Sequence, residues 1–135
     1  MVWGIAIAHT SLDNREVIKK CRALYHANHT AIQYAIKWLP VDYWCNTELA
    51  AIKQVIDEKV KDQIGEDQTW GMKVKKRRWQ QYHTSEMVEY LAADIHRKVD
   101  LNQPDKLIWV DVIGWETAVS LLAPDDIFTL NLSQL

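Results

Sequence analysis

Glycine, proline and cysteine are all scarce in this chain. Its 135 residues include four glycines, three prolines and two cysteines. So few helix and strand breakers predict a chain of mostly regular secondary structure, which excludes the collagen-like and disordered classes. The two cysteines, Cys21 and Cys45, are too few for a disulfide framework, and we therefore expect a reducing, cytoplasmic location.

Long hydrophobic runs are also missing. The apolar runs at residues 1–8 and around residues 121–123 are far short of the ~20 residues that a membrane span needs. No basic segment precedes the apolar residues 1–8, so we expect neither a signal peptide nor a membrane partner. Hydrophobic residues make up 48% of the chain and charged residues 25%, as in a globular protein that buries its core without a structural metal.

The motifs of common catalytic sites are absent. The chain has no GxGxxG or GxxxxGK[ST] phosphate loop, no GxSxG nucleophile elbow, no HExxH motif and no CxxC pair. Cys21, His26, His29 and Cys45 are residue types that zinc accepts. Cys21, however, falls on the apolar stripe of a predicted helix, where a free buried cysteine is common. We therefore expect no metal site and no cofactor.

Charge is unevenly distributed along the chain. The formal net charge is −2, which argues weakly against nucleic-acid binding. Residues 69–83, however, carry five lysines and arginines and no acidic residue, whereas residues 100–135 carry one lysine and six acidic residues. Because local fields rather than net charge attract polyanions, the basic block is the candidate binding region.

The basic block is predicted to form the end of a strand over residues 69–79. Alternation along this strand predicts one face with Trp70, Met72 and Val74 in the core and a second face with Lys73, Lys75, Arg77 and Trp79 in one row. Cations neutralise phosphates, and an aromatic ring offers a stacking face for an unpaired base. A solvated strand end that merely balances the acidic remainder is the alternative interpretation. The candidate nucleic-acid-binding residues are Lys73, Lys75, Lys76, Arg77, Arg78, Trp79, Tyr82 and His83.

Hydrophobic periodicity predicts a two-layer α/β fold. Helices are expected at about 14–25, 47–64 and 84–98, and strands at 2–8, 30–38, 69–79, 107–113, 117–122 and 127–132. The segment 30–38 also admits a helix. The order βαβ followed by αβαβββ predicts helices packed on a mixed sheet. Residues 1–45 are too few to fold alone, so they must pack on the rest of the chain or on another chain.

Several motifs from Thr69 onward resemble those of a THUMP domain. They are Thr69-Trp70 leading into the KVKKRRW strand, His83-Thr84-Ser85-Glu86-Met87, the turn Lys98-Val99-Asp100-Leu101-Asn102-Gln103-Pro104-Asp105, the strand Val110-Asp111-Val112-Ile113-Gly114, and Ser120-Leu121-Leu122 followed by Pro124-Asp125-Asp126-Ile127-Phe128. With the helix at 47–64, the resemblance covers roughly residues 46–131. It implies a THUMP domain at 46–135, preceded by a βαβ extension at 1–45 that is similar to a shortened ferredoxin-like domain.

The resemblance also implies a function. THUMP domains are RNA-binding modules of 4-thiouridine synthetases, RNA methyltransferases, a pseudouridine synthase, a tRNA deaminase and the adaptor that presents tRNA to the cytidine acetyltransferase. Their catalytic domains lie outside the module, so the resemblance implies tRNA binding without chemistry, with a cytidine acetyltransferase as the first expected partner. The alternatives are an RNA-binding subunit of a tRNA methyltransferase or thiouridine synthetase, and a structural or dimerisation protein that lost RNA binding. A homodimer stays open.

Overall fold

The computed structural model describes residues 5–28, 37–77 and 79–129. No helix within these ranges is long and apolar enough to span a bilayer. By their contacts the described residues fall into two compact units, a larger one containing 41–77 and 79–123 and a smaller one containing 6–28, 37–40 and 124–129. In chain order the elements are α1 (Asn14–Ala27), β1 (Lys37–Trp38), β2 (Tyr43–Asn46), α2 (Leu49–Val55), β3 (Thr69–Arg77), α3 (Thr84–Ala92), β4 (Lys98–Val99), β5 (Lys106–Ile113), β6 (Glu116–Leu122) and β7 (Phe128–Thr129).

The larger unit is a five-stranded mixed sheet in the order β2-β6-β5-β3-β4. β3 runs parallel to β4 and β5, whereas β6 runs antiparallel to β5 and β2. A parallel pair needs a crossover connection, and α3 provides it between β3 and β5. The predicted class, helices on a mixed sheet, is confirmed.

The core of the larger unit lies between the helices and one face of this sheet. α2 continues through a π-helical turn, Ile56–Val60, and a 3-10 turn, Lys61–Gln63. Burying a side chain of the size of valine or leucine contributes about 1.5–3 kcal/mol, so this layer supplies much of the stability of the unit. Its buried members are Ile52, Ile56, Val60, Ile64, Met87, Leu91 and Ile95 from the helical layer and Trp70, Val74, Ile108, Val110, Val112, Val119 and Leu121 from the sheet.

Carboxylates organise the loop that leads into β5. Asp100 Oδ1 accepts hydrogen bonds from the amides of Gln103 and Asn102 at 3.0 and 2.9 Å, and these bonds lower the pKa of Asp100. Asp105 Oδ2 accepts a hydrogen bond from the amide of Thr69 at 2.9 Å, which ties the start of β5 to the start of β3. The turn motif that contributed to the THUMP resemblance therefore has a structural role here.

The smaller unit is built around α1 and the two-stranded antiparallel sheet of β1 and β7. Asp13 caps α1 by accepting hydrogen bonds from backbone amides of its first turn. Ile18, Tyr25 and Phe128 form the buried core of the unit. Arg22 donates hydrogen bonds to two backbone carbonyls just before β7, one of them at 2.8 Å. Residues 124–129 thus pack with α1.

One predicted helix has the wrong extent, and one strand was not predicted. The helix predicted to reach residue 98 ends at Ala92, and β4 follows it. Hydrogen bonds from distant residues hold the chain there, since the indole of Trp70 donates to the carbonyl of Arg97 at 3.1 Å and the Arg97 Nε donates to the carbonyl of Ile64 at 3.2 Å. β2 was not predicted, although it pairs with β6 along the edge of the main sheet.

The predicted outer strands are only partly testable. Residues 5–8 form no strand, and residues 1–4 lie outside the described part of the chain. Of the strand predicted at 30–38, only β1 is described, and of the strand at 127–132 only β7 is described, paired with β1 rather than with the main sheet. β2 crosses the boundary expected after residue 45, and the division into 1–45 and 46–135 stays a prediction.

Candidate nucleic-acid interface

β3 carries three cations on the sheet face opposite α2 and α3. Lys73, Lys75 and Arg77 alternate along the strand with Val74, which is buried in the core against the helices. Successive side chains of a strand point to opposite faces. These three residues therefore form a single row, called the cation row below. As the alternation predicted, Trp70, Val74 and the half-buried Met72 contact the core instead.

An aromatic residue of β5 lies beside the cation row. Trp109 is paired in register with Lys73, and the Nζ of Lys73 is 5.6 Å from the centroid of the Trp109 ring. A cation near an aromatic face gains about 0.5–1 kcal/mol at an exposed site. This contact favours a position of the exposed Lys73 ammonium close to the sheet.

A buried carboxylate of β5 also contacts the row. Asp111 is 7% exposed, and its Oδ1 accepts a hydrogen bond from the Nε of Arg77 at 3.1 Å. Its Oδ2 lies 3.5 Å from the Nε1 of Trp109. The basic block contains no acidic residue of its own, but in the folded chain Asp111, 34 residues further along, is paired with Arg77. The Nε contact orients the guanidinium.

Four further candidate residues surround a cleft beyond the end of β3. Lys76, Trp79, Tyr82 and His83, together with Gln80, line this cleft of about 310 Å³. The Nζ of Lys76 donates a hydrogen bond to the backbone carbonyl of Tyr82 at 2.7 Å. The rings of Trp79 and Tyr82 are 5.7 Å apart and tilted by 46°. The cleft therefore combines a cation, two aromatic rings and an imidazole.

Trp79 lies away from the cation row, contrary to the prediction. β3 ends at Arg77, so the alternation of the strand does not extend to Trp79, and its half-buried ring packs against the core on the helix side. Tyr82 is 41% exposed and is the more accessible ring of the pair. Arg78 lies outside the described residues.

One exposed tryptophan, Trp115, lies outside the predicted set of site residues. It lies in the turn between β5 and β6 and is 92% exposed. Gly114 between two predicted strands was the available signal for a tight turn, and a side chain at the tip of such a turn is seldom buried. The exposed tryptophan is a functional candidate that the predicted set of residues did not contain.

No metal centre is formed by the part of the chain that the structure describes. Within it, no three histidine, cysteine, aspartate or glutamate residues are grouped so that they could hold an ion. Cys21 and Cys45 are both free thiols, and burial raises the pKa of Cys45. His29, which the sequence analysis also considered as a zinc ligand, lies outside the described residues.

Comparison with solved structures identifies the fold. TrmN from Thermus thermophilus matches with a TM-score of 0.57 and 14% identity, over 84% of this chain and 33% of that chain. The chain has a THUMP fold. PH1313 from Pyrococcus horikoshii matches with a TM-score of 0.46 and 12% identity, over 64% of this chain and 32% of that chain. A 4-thiouridine synthetase in complex with RNA and ATP matches with a TM-score of 0.44 and 13% identity, over 95% of this chain and 40% of that chain.

One curated protein is similar in sequence. The uncharacterized protein MJ0421 of Methanocaldococcus jannaschii is 38% identical over 68 residues, which are 47% of this chain and 19% of that protein. No family profile matches the chain. The chain with the THUMP fold thus spans about a fifth of this relative and about a third of TrmN.

Proposed function

We propose that this chain is a tRNA-binding module that serves as a non-catalytic adaptor for a tRNA-modifying enzyme. The observation that carries the proposal is the cation row of Lys73, Lys75 and Arg77 at the end of the sheet that also bears the aromatic cleft. The THUMP fold supports the proposal, since it is the fold of modules that accompany separate catalytic domains.

The cation row is suited to a phosphate backbone. Each lysine or arginine that meets a phosphate releases a condensed counterion, which gives affinity without reading sequence. The side chain of Lys75 makes no hydrogen bond or ion pair with the residues that the structure describes, so its ammonium is available. Arg77 presents a guanidinium that is already oriented through its Nε. The row would therefore bind paired and unpaired RNA alike.

The cleft is suited to an unpaired nucleotide. Protein recognition of RNA outside a helix relies on bases stacked on aromatic side chains. Tyr82 offers the exposed ring, Lys76 a cation beside it and His83 an imidazole at the start of α3. A tRNA supplies both kinds of ligand, a helical stem for the row and a single-stranded 3′ end for the cleft.

Binding of tRNA is tested with the purified chain and two RNAs. One is an unmodified tRNA transcript with its single-stranded 3′ end, and the other is the same transcript trimmed to a blunt acceptor stem. We expect both to bind with an affinity that falls as salt rises, and the complete tRNA to bind more tightly. The proposal would be overturned if neither RNA bound to the chain at low salt.

The adaptor role is tested separately from RNA binding. The resemblance to the stand-alone adaptor of tRNA acetylation makes a cytidine acetyltransferase the partner that we propose. The two purified proteins should form a complex on tRNA, and this chain should raise the rate of tRNA acetylation. Complex formation with a tRNA methyltransferase or thiouridine synthetase instead would keep the RNA-binding function and overturn the choice of partner.

A further inference from the structure

The turn between β5 and β6 is a two-residue hairpin loop. Ile113 and Glu116 are paired directly across it, which leaves Gly114 and Trp115 as the loop. Gly114 has a φ of +65°, a left-handed conformation that glycine adopts without steric cost. Loops of this length allow few backbone geometries, so the position of Trp115 at the tip is well defined.

Trp115 combines a fixed backbone with a free ring. Its carbonyl oxygen accepts a hydrogen bond from the amide of Thr47 at 3.0 Å, which ties the hairpin to the segment before α2. The residue is nevertheless 92% exposed. Aromatic side chains usually bury about 150–250 Å² each and supply much of the energy of cores and interfaces. The fold therefore holds a large apolar surface in place without using it.

The hairpin tip lies at the end of the sheet where the cation row ends. Arg77, the last residue of β3, is paired in register with Ile113. The amide of Gly114 is 3.4 Å from the carbonyl oxygen of Arg77. Gly114 therefore contacts the backbone of Arg77, the last cation of the row, and Trp115 directly follows Gly114 in the chain.

The surroundings of Trp115 favour a nucleic acid over a protein as the ligand. A protein interface buries a core of several apolar side chains, but Trp115 is flanked by Gly114 and by the exposed carboxylate of Glu116. A stacked base needs only one aromatic face, with a cation nearby for its phosphate. Arg77 supplies that cation from the neighbouring strand.

We propose that Trp115 is a stacking platform for an unpaired base of an RNA strand whose backbone meets the cation row. This inference rests on the proposed RNA binding. It adds an aromatic contact outside both the row and the cleft. A bound strand would extend from the row towards the β5–β6 hairpin.

Fluorescence anisotropy with two labelled RNAs tests this proposal. One RNA is a single strand without secondary structure, and the other is a blunt duplex of equal length. Trp115→Ala removes the ring, and Trp115→Phe keeps an aromatic face. Leu101→Ala is the matched control, because Leu101 is also an exposed apolar residue, at 85%, and lies in the loop near the start of β3. We expect Trp115→Ala to weaken single-strand binding by about tenfold or more. Duplex binding, the Phe variant and the Leu101 control should stay close to wild type.

The outcomes separate this inference from the proposed function. A wild-type chain that binds neither RNA overturns both. If wild type and Trp115→Ala bind the single strand equally well, only the stacking role is overturned. That result is expected if the ring contacts a protein instead. Equal weakening on both RNAs, or by the Ala and Phe variants alike, also contradicts stacking.

A second measurement is independent of the stability of the Ala variant. Stacking of a base on an indole quenches its fluorescence, so the emission difference between wild type and Trp115→Phe should shrink when single-stranded RNA saturates both proteins. A difference that RNA leaves unchanged would contradict the proposal. Thermal unfolding of Trp115→Phe should match that of wild type, because the ring is outside the core.

Discussion

The guanidinium of Arg77 is held by the carboxylate of Asp111, with 3.1 Å between Nε and Oδ1. The side chain of Asp111 is 10% exposed and that of Arg77 33% exposed, so the pair is partly shielded from water. Removing one partner of a shielded pair leaves the other charge without compensation. Arg77 therefore serves the fold as well as the proposed RNA surface.

Arg77→Met should lower the free energy of unfolding by about 2 kcal/mol, since the hydrogen bond to a charged group is lost. Lys75→Met removes the same charge from the same row and should change the free energy by less than about 0.5 kcal/mol. Urea denaturation of both variants measures the difference. Equal stability of the two variants would show that Asp111 does not depend on Arg77.

Trp79 and Tyr82 should differ in their roles although their rings are 5.7 Å apart. Trp79 packs against the core, so Trp79→Ala should lower the free energy of unfolding by about 1.5–3 kcal/mol. Tyr82→Ala should cost less stability and should weaken binding of tRNA with an intact 3′ end. Tyr82→Ala leaves the hydrogen bond from the Nζ of Lys76 in place, because its acceptor is the backbone carbonyl of residue 82.

Melting curves and binding to tailed and blunt tRNA distinguish these two roles. The stacking role first predicted for Trp79 stays a prediction. It would be supported by a Trp79→Ala variant that melts like wild type and loses affinity only for the tailed tRNA. A Tyr82→Ala variant with unchanged affinity for both RNAs would exclude Tyr82 as a stacking ring.

Lys53 should make the stability of the larger unit sensitive to acid. Its Nζ lies 2.7 Å from Asp57 Oδ2 on the same helical segment and 2.6 Å from Asp94 Oδ2 after α3. The hydrogen bond to Lys53 lowers the pKa of Asp94. A carboxyl group with a lowered folded-state pKa stabilises the fold above its unfolded pKa, and this contribution is lost as pH falls through the folded pKa.

We therefore expect wild-type stability to decline as the pH falls below about 4, the ordinary range of aspartate. Lys53→Met should be less stable at pH 7 and should lose less on acidification. Urea midpoints of both proteins at neutral and acidic pH measure this. Parallel pH profiles would mean that the two contacts contribute nothing to stability.

β2 should be needed for the solubility of the larger unit. It pairs with β6 from Tyr43 opposite Val119 to Asn46 opposite Glu116. Deleting 1–45 removes most of β2 and leaves β6 as an unpaired edge, which favours aggregation. Deleting only 1–40 keeps this strand and should do less harm. A soluble 46–135 fragment that melts cooperatively would contradict this expectation.

Local patterns predicted the elements that carry their own periodicity. α1, β3 and the β5–β6 hairpin lie close to their predicted positions, because apolar spacing, caps and Gly114 mark them within a few residues. β2 and β4 were missed because they are short and adopt strand structure by pairing with β6 and β3, respectively. A pattern of two to four residues does not specify such a partner.

The candidate site shows the same limit. Alternation placed Lys73, Lys75 and Arg77 on one face, since that is a property of the strand alone. The pairing of Arg77 with Asp111 depends on the register between β3 and β5. The inward turn of Trp79 depends on where β3 ends. Neither is encoded within the basic block.

The most direct test of the cation row is the salt dependence of tRNA binding. Lys73→Gln with Lys75→Gln removes two charges from the row, and Lys98→Gln with Lys106→Gln removes two from the strands beside the start of β3. We expect the first pair to reduce the slope of log K against log salt by about 1.4–1.8, while the second pair leaves it unchanged. Equal slopes for wild type and both double variants would contradict RNA binding through the row.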